Sequence, residues 1–373
     1  MKSHFHFFGP VLIAIYLAFH FYFIRWTGRY FSLSAGQSRI FKLCVCALAL
    51  CFPAAEYLEK FSGGGLAGAV LWFGFFWLGA MFILVCVLFL CDLLFLLLRL
   101  GGTGIRAGRM GGAAALALAA CLILSAVWRG AALPKTVSMD ISLRNLPAGL
   151  DGFKIVQISD LHLGRLITTD RLRGIAAQVN RLAPDLIVFT GDFTENGAGD
   201  MAGICSAVRS MNSKYGKAAV LGNHDLFGGG DNAAAFYSGC GVKMLRSEKY
   251  EPAAGLQVAG VDDLRRARGT GARLEQLVSA LDPALPVIFL SHQPQGFDAV
   301  MKAGSGLVLS GHTHEGQIFP FGLMEKPLFE YFYGLYKAGA FTVYVTSGAG
   351  TWGPPMRLFT VSELPLFILH PEK

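Results

Sequence analysis

Charge is scarce in this sequence. Only 15% of its 373 residues are charged, against 53% hydrophobic, and the first 133 positions hold just three acids, Glu56, Glu59 and Asp92. So few polar groups exclude an ordinary soluble domain over that stretch. Ten Lys and Arg residues precede Pro134, so the formal net charge of +7 arises there as ten minus three, while the remainder balances 22 basic against 22 acidic residues. Nucleic acid binding needs a basic face on a folded domain. A neutral globular part excludes that partner, and basic loops between apolar runs report on membrane topology instead. Usable cysteine is scarce too. Cys44, Cys46, Cys51, Cys86, Cys91 and Cys121 lie in or beside apolar runs, where a small thiol is tolerated. Only Cys205 and Cys240 remain for the globular part, too few for a disulfide scaffold and without metal-type spacing, and nothing in the sequence says whether they pair. Internal repeats and low-complexity tracts are absent, which excludes a solenoid.

A bilayer core about 30 Å thick needs about 20 apolar residues in a helix. Residues 7–24 and 111–128 meet that length, and residues 66–98 exceed it and must tilt or project. Residues 43–58 form a short run that carries Pro53 and Glu56. Lys2 precedes the first run, Arg25 closes it and no small-residue cleavage site follows, which reads as an anchor and not a signal peptide. With four spans, one side holds Arg25, Arg29, Arg39, Lys42, Arg99, Arg106 and Arg109, and the other Lys2, Lys60, Arg129 and Lys135. Basic residues favour the cytoplasmic side. The expectation is a multi-pass region over 1–133 and an extracytoplasmic domain over 134–373. If residues 43–58 only dip into the bilayer, the domain lies in the cytoplasm. Asp92, ionisable within an apolar run, is a functional-site candidate by default; the competing reading puts it at headgroup level beside Arg99.

From Pro134 onward short β-type runs alternate with helical ones, the pattern of an α/β domain. Strands are expected at 154–159, 186–190, 218–221, 256–261, 287–290, 307–310, 341–345 and 364–369, and helices at 170–182 and 273–281. Polar residues follow five of these strands at once. Asp160 and His162 follow the first, Gly191-Asp192 the second, and Gly222-Asn223-His224-Asp225 the third. His292 and Gly311-His312-Thr313-His314 follow two later ones. Taken singly, His292 would be a hydrogen-bonded core histidine, Asp192 a helix cap and Asn223 a turn residue. Carboxylate, imidazole and amide groups at five strand ends of one domain argue for a shared site, because loops at those ends converge on one crevice. The glycines at 191, 222 and 311 are expected to let the backbone turn sharply beside the ligands.

Oxygen and imidazole donors without thiolate suit Mn, Fe or Zn, and eight such groups suit two ions sharing a carboxylate. A two-ion site clamps in-line displacement at phosphorus and makes hydroxide available near neutral pH.

These motifs resemble the calcineurin-like metallophosphoesterase family, from about Asp151 to the C-terminus. The stretches Ile158-Ser159-Asp160-Leu161-His162 and Gly311 to Gln317 are similar to its membrane-associated branch of YaeI/YkuE-like phosphohydrolases, which often has a second glycine where this chain has Glu315. The resemblance implies a two-sheet β sandwich flanked by helices. It implies that Asp160, His162 and His314 hold one metal, that Asn223, His292 and His312 hold the other, and that Asp192 bridges. It further implies a metal-bridging hydroxide as nucleophile, His224 as proton donor to the leaving oxygen and Asp225 as the group orienting His224.

Weaker candidates are Arg165, for a phosphate oxygen, and Arg357, for closing the site; Asp262 and Asp263 read as a turn. Seven aromatics between Gln317 and Phe341 read either as a flap toward a lipid-embedded phosphate or as packing on the sandwich edge. The leading expectation is hydrolysis of a phosphoester or pyrophosphate in a lipid or envelope precursor. Alternatives are a cytoplasmic-facing nucleotide-diphospho-lipid pyrophosphatase, a non-catalytic metal-binding module, which would usually lack His224 and Asp225, and a regulated transporter, which a single intramembrane acid supports poorly.

Overall fold

The computed structural model describes residues 2–59, 65–102, 108–164, 166–195, 200–265 and 270–372. They form two compact units, Met1–Ala131 with Gly353–Leu358, and Ala132–Trp352 with Phe359–Lys373. Arg165, Lys60 and Arg106 lie outside the described residues.

The first unit is helical: Lys2–Tyr30, Ala35–Ala49, Cys51–Glu59, Gly65–Leu100 and Arg109–Ala131. Among the described residues four stretches are long and apolar enough to cross a membrane, Val11–Tyr30, Ala35–Ala55, Gly68–Leu100 and Arg109–Ala131. The second begins well before residue 43 because Ser34 caps its helix: the Ser34 hydroxyl accepts the Gln37 N–H, and the Gln37 side chain accepts the Ser34 N–H. The chain then starts a new helix after Leu50, whose first turn places Pro53 where a missing N–H is tolerated. Small residues sit where helices approach closely. A Cβ at Gly74 would stand 2.7 Å from the Ala55 side chain, and one at Gly112 2.9 Å from that of Tyr30.

The segment Gly353–Leu358 packs among these helices. A Cβ at Gly79 would meet Pro354 at 2.8 Å, one at Gly130 would meet the Pro355 carbonyl at 2.6 Å, and the Arg357 N–H donates to the Ala126 carbonyl at 2.9 Å. Arg357, expected to close the phosphate site, instead belongs to this unit and is fully buried. Gly79 and Gly130 leave the space that its segment fills.

Asp92 is paired across helices. It accepts from Tyr22 (3.0 Å), Trp26 Nε1 (3.1 Å), Arg29 (3.0 Å) and Tyr30 (2.6 Å), all on the first helix. Its cationic partner is Arg29, not Arg99, and its four donors make it a pin between helices. Interhelical hydrogen bonds in membranes average about 0.6 kcal/mol, so Asp92→Ala is expected to cost ~2 kcal/mol. A lower unfolding midpoint of the detergent-solubilised protein measures this; an unchanged midpoint would refute the pin.

The described residues of the second unit form twelve strands: β1 Lys135–Leu143, β2 Phe153–Ile158, β3 Leu186–Thr190, β4 Lys217–Val220, β5 Lys243–Met244, β6 Glu248–Ala253, β7 Leu256–Val261, β8 Val287–Ser291, β9 Gly306–Ser310, β10 Gly334–Ala338, β11 Phe341–Val345 and β12 Glu363–Pro371. One mixed sheet runs β1-β12-β2-β3-β4-β5 and the other β10-β11-β9-β8-β7-β6. Strands β2, β3, β4 and β5 are parallel neighbours, as are β7, β8, β9 and β11, so their C-terminal ends lie on one edge of each sheet.

Alternation along each strand supplies both faces. Ile155, Val188, Ala218 and Val220 meet Val258, Ile288, Leu290, Leu307 and Leu309 between the sheets. Val156, Ile158, Ile187 and Phe189 face outward onto Leu172, Ile175, Ala176 and Val179 of helix Thr169–Leu182. Ala259, Val261, Phe289 and Val308 pack on Leu274 and Leu277 of helix Thr270–Ala280. The result is the expected two-sheet sandwich flanked by helices. It buries apolar surface on both faces of both sheets.

Cys205 and Cys240 form a disulfide that ties helix Met201–Arg209 to the end of helix Gly230–Gly239. The bond spans 35 residues. By the chain-entropy argument, a loop of that size implies that reduction lowers stability by about 4 kcal/mol. Urea unfolding with and without reductant tests this, and coincident curves would refute it.

Candidate metal centre

The five predicted ligand segments meet at one place. β2 delivers Asp160 and His162, β3 Asp192, β4 Asn223 and His224, β8 His292, and β9 His312 and His314. Backbone bonds strap these loops together: the Asp160 N–H donates to Gly191 O, His162 N–H to Asp192 O and Gly311 N–H to His292 O, at 3.0–3.1 Å.

Five of these residues, Asp160, His162, Asp192, His312 and His314, have positive φ between 48° and 76°. Such backbone costs of order 1–3 kcal/mol per residue and persists where the surroundings over-determine it, commonly at functional sites. The three glycines act differently from one another. Gly191 alone turns through positive φ, at 91°. Gly222 and Gly311 do not need that freedom. They need to be small, because a Cβ at Gly222 would strike the Asp192 carboxylate and one at Gly311 the Asp160 carboxylate.

Three overlapping groups have their donor atoms within 4.8 Å of one another: Asp160, His162 and His314; His162, Asp192 and His224; and Asp192, His292 and His312. Asp192 belongs to two of them. Its Oδ2 lies 3.1 Å from His292 Nε2 and 3.8 Å from His162 Nε2, while its Oδ1 accepts the His224 N–H at 2.8 Å. Asn223 Oδ1 lies 3.1 Å from His292 Nε2. His162 Nε2 faces His314 Nε2 at 3.0 Å, and His292 Nε2 faces His312 Nδ1 at 3.2 Å. Each pair lies at hydrogen-bond distance, one nitrogen donating and the other accepting according to tautomer, so the donor atoms of the site converge closely.

The electrostatics carry the same signature. Burial depresses the His292 imidazolium, but the Asp192 carboxylate beside it overrides this and pushes its pKa up to about 10. Burial and the His292 charge push His312 down to about 3. Burial opposes ionisation of Asp192, yet the surrounding imidazoles hold its carboxyl well below the usual range. A donor set of buried carboxylate, imidazole and amide oxygen fits a divalent cation there.

Comparison with known proteins agrees. Residues 153–316 match the family model described as calcineurin-like phosphoesterase. A metallophosphoesterase of Helicobacter pylori is 32% identical over 258 residues, 67% of this chain and 69% of that protein. The chain belongs to the calcineurin-like phosphoesterase family. A transmembrane protein with metallophosphoesterase domain from Danio rerio is 32% identical over 271 residues, 68% of this chain and 62% of that one. The Bacillus subtilis metallophosphoesterase YkuE is 33% identical over 249 residues, 63% of this chain and 85% of YkuE. Membership places the chain among metal-dependent phosphoester hydrolases.

Within this calcineurin-like phosphoesterase, one site residue escaped the sequence reading. Glu195, three positions past Asp192, pairs with two imidazoles at once: Oε1 with His162 Nδ1 at 2.6 Å and Oε2 with His224 Nδ1 at 3.0 Å. Although burial raises its pKa, these bonds hold it down at about 2. A carboxylate that accepts a hydrogen bond from the Nδ1–H of a histidine turns the Nε2 lone pair inward. The Thr190 carbonyl does the same for His292, at 2.8 Å from its Nδ1.

Asp225, expected to orient His224, makes no hydrogen bond to its ring among the described residues; the His224 Nδ1 pairs with Glu195 instead. As the third residue of helix Asn223–Phe227, Asp225 folds its side chain back to accept the Gly222 N–H (3.0 Å). It also accepts the Phe193 N–H (3.2 Å) and the Tyr237 hydroxyl (2.9 Å). Burial and the Asp192 charge push its pKa up to about 6. Asp225 thus locks the β3 and β4 loops together, and Glu195 takes the orienting role. Asp262 bonds Arg246, and Asp263 accepts the Arg265 N–H two residues on, which is the turn expected there.

The aromatic stretch divides. Tyr331 and Tyr336 pack against the outer core of the second sheet beside its edge strand β10. Residues before Phe329 are largely exposed.

Proposed function

We propose that this chain is a membrane-anchored, extracytoplasmic hydrolase of phosphoester or pyrophosphate bonds working with two divalent cations, Mn, Fe or Zn, on a lipid or envelope precursor. The observation that carries this is the sharing of Asp192 between two donor groups. Asp160, His162 and His314 would hold one cation, Asn223, His292 and His312 the other, with Asp192 between them. When bound, the cations supply an activated water and neutralise charge on the transferring phosphoryl group.

The remaining work belongs to the chain. Glu195 holds His162 and His224 in one orientation. His224 keeps Nε2 free of hydrogen bonds among the described residues, and its side chain is 18% exposed where those of His162, His292 and His314 are at most 8%. It therefore stands at the mouth, placed to give a proton to the leaving oxygen. Asp225 keeps the His224 loop against the Asp192 loop.

Residues 1–133 would serve as the anchor and 134–373 as the catalytic domain. Two features support an extracytoplasmic domain. Arg25, Arg29, Arg39, Lys42, Arg99 and Arg109 lie toward the span ends that a four-span arrangement puts on one side. The Cys205–Cys240 disulfide suits an oxidising compartment.

The full-length protein, stripped of metal and reloaded with Mn²⁺, is expected to hydrolyse a chromogenic phosphodiester or monoester only when loaded, with two cations bound per chain. Folded protein that binds two cations and cleaves neither ester class would leave the non-catalytic module standing.

A further inference from the structure

An exposed apolar surface lies beside the histidines. Phe319, Phe321, Leu323, Met324 and Leu328 occupy five of ten consecutive positions and are 44–67% exposed. The covering of the sandwich edge by Tyr331 and Tyr336 does not account for them. This surface is continuous with the catalytic groups. The Phe329 ring packs edge-on against the His312 ring at 5.4 Å, and the Trp352 ring against the His224 ring at 6.0 Å. Two hydrogen bonds join the sides: Gln317 Nε2 donates to the Trp352 carbonyl at 3.0 Å and accepts the Trp352 N–H at 2.8 Å through Oε1. Phe319 packs on Phe359 at 5.9 Å, and Phe359 is 65% exposed.

A contiguous exposed apolar patch on a folded domain marks a binding surface. Its position selects the occupant. A second copy or a protein partner seated here would lie across the mouth at His224 and His312 and obstruct the phosphate. A molecule that itself carries the phosphate has its apolar part placed here whenever its phosphate reaches the histidines.

We infer that the surface formed by residues 319–328 with Trp352 and Phe359 binds the hydrocarbon tail of an amphiphilic phosphoester whose phosphate sits at the histidine cluster. This rests on the hydrolase reading and narrows its substrate class. Each methylene fully buried on binding raises affinity by up to about fourfold, so the surface reads tail length.

The test uses full-length protein in lipid nanodiscs, loaded with Mn²⁺, and two homologous series: p-nitrophenyl alkyl phosphodiesters and alkyl monophosphates, from ethyl to decyl. In at least one series kcat/KM is expected to rise with chain length, by tenfold or more overall, through KM. In the Leu323→Ser/Leu328→Ser double variant the rise should flatten while the ethyl member is cleaved as before. A flat series in the wild type, with metal-dependent cleavage of the ethyl ester intact, would overturn the tail site and leave the hydrolase reading standing. Cleavage of no member would sink both. A double variant that keeps its chain-length slope and passes from dimer to monomer would identify a self-association face and overturn the proposal.

Discussion

Asp192→Asn is expected to lower metal-dependent kcat by more than the roughly 10–100-fold that outer partners of metal ligands are worth, and to release at least one cation. Asp192 is the one carboxylate in two donor groups, with Oδ2 toward His292 and His162 and Oδ1 on the His224 N–H. An amide of the same size preserves packing and removes the charge. It must also turn an NH₂ toward either the backbone N–H or the imidazoles, and both faces are already occupied by donors or by groups that need an anion. Cations held by the two groups would then lose the carboxylate that both groups share, and leaving a buried charge unmatched is costly. Elemental analysis beside turnover checks this. Full activity with two cations retained would remove Asp192 from the bridging role.

Glu195→Ala is expected to cost 10–100-fold in metal affinity or kcat with KM little changed, because both Glu195 oxygens are engaged by imidazoles. Glu195→Gln should recover part of the loss. Its Oε1 still accepts from one imidazole Nδ1–H, while its NH₂ opposes the other. The carboxylate side chain is 35% exposed, so solvent weakens the pairing relative to a buried one, and its value comes from orientation more than from charge. Identical kcat and metal affinity in Glu195→Ala would show that the paired geometry is incidental.

The strands that the sequence revealed and those it concealed follow a rule. The eight found from apolar runs, β2, β3, β4, β7, β8, β9, β11 and β12, are the interior strands of the two sheets, and β1, β5, β6 and β10, the four missed, are the four edges. Interior strands are buried on both faces and spell continuous apolar runs. Edge strands face water on one side; β1 alternates between exposed and half-buried positions before its last residues. The same logic locates the candidate metal ligands, because a polar residue immediately after a buried run must sit at a strand end.

Glu195 has no such flag. It lies within a loop, three residues beyond Asp192, and only the folding of the β3 and β4 loops onto each other brings His162 and His224 to its two oxygens. Asp225 carried the expected flag and a different partner, since a carboxylate at the third position of a short helix is drawn back to the unpaired N–H at that helix's start. Arg357 and its neighbours carry no periodic signal; helix grooves opened by Gly79 and Gly130 receive them.

The sequence by itself determined the ligand types, the sheet interiors and the helices apolar enough for a membrane, because burial and donor chemistry are written residue by residue. The tertiary structure alone decided which carboxylate orients which imidazole, which carboxylate is shared, and which aromatics stay exposed beside the histidines. Those are properties of distances between segments far apart in the chain, and local composition holds no record of them.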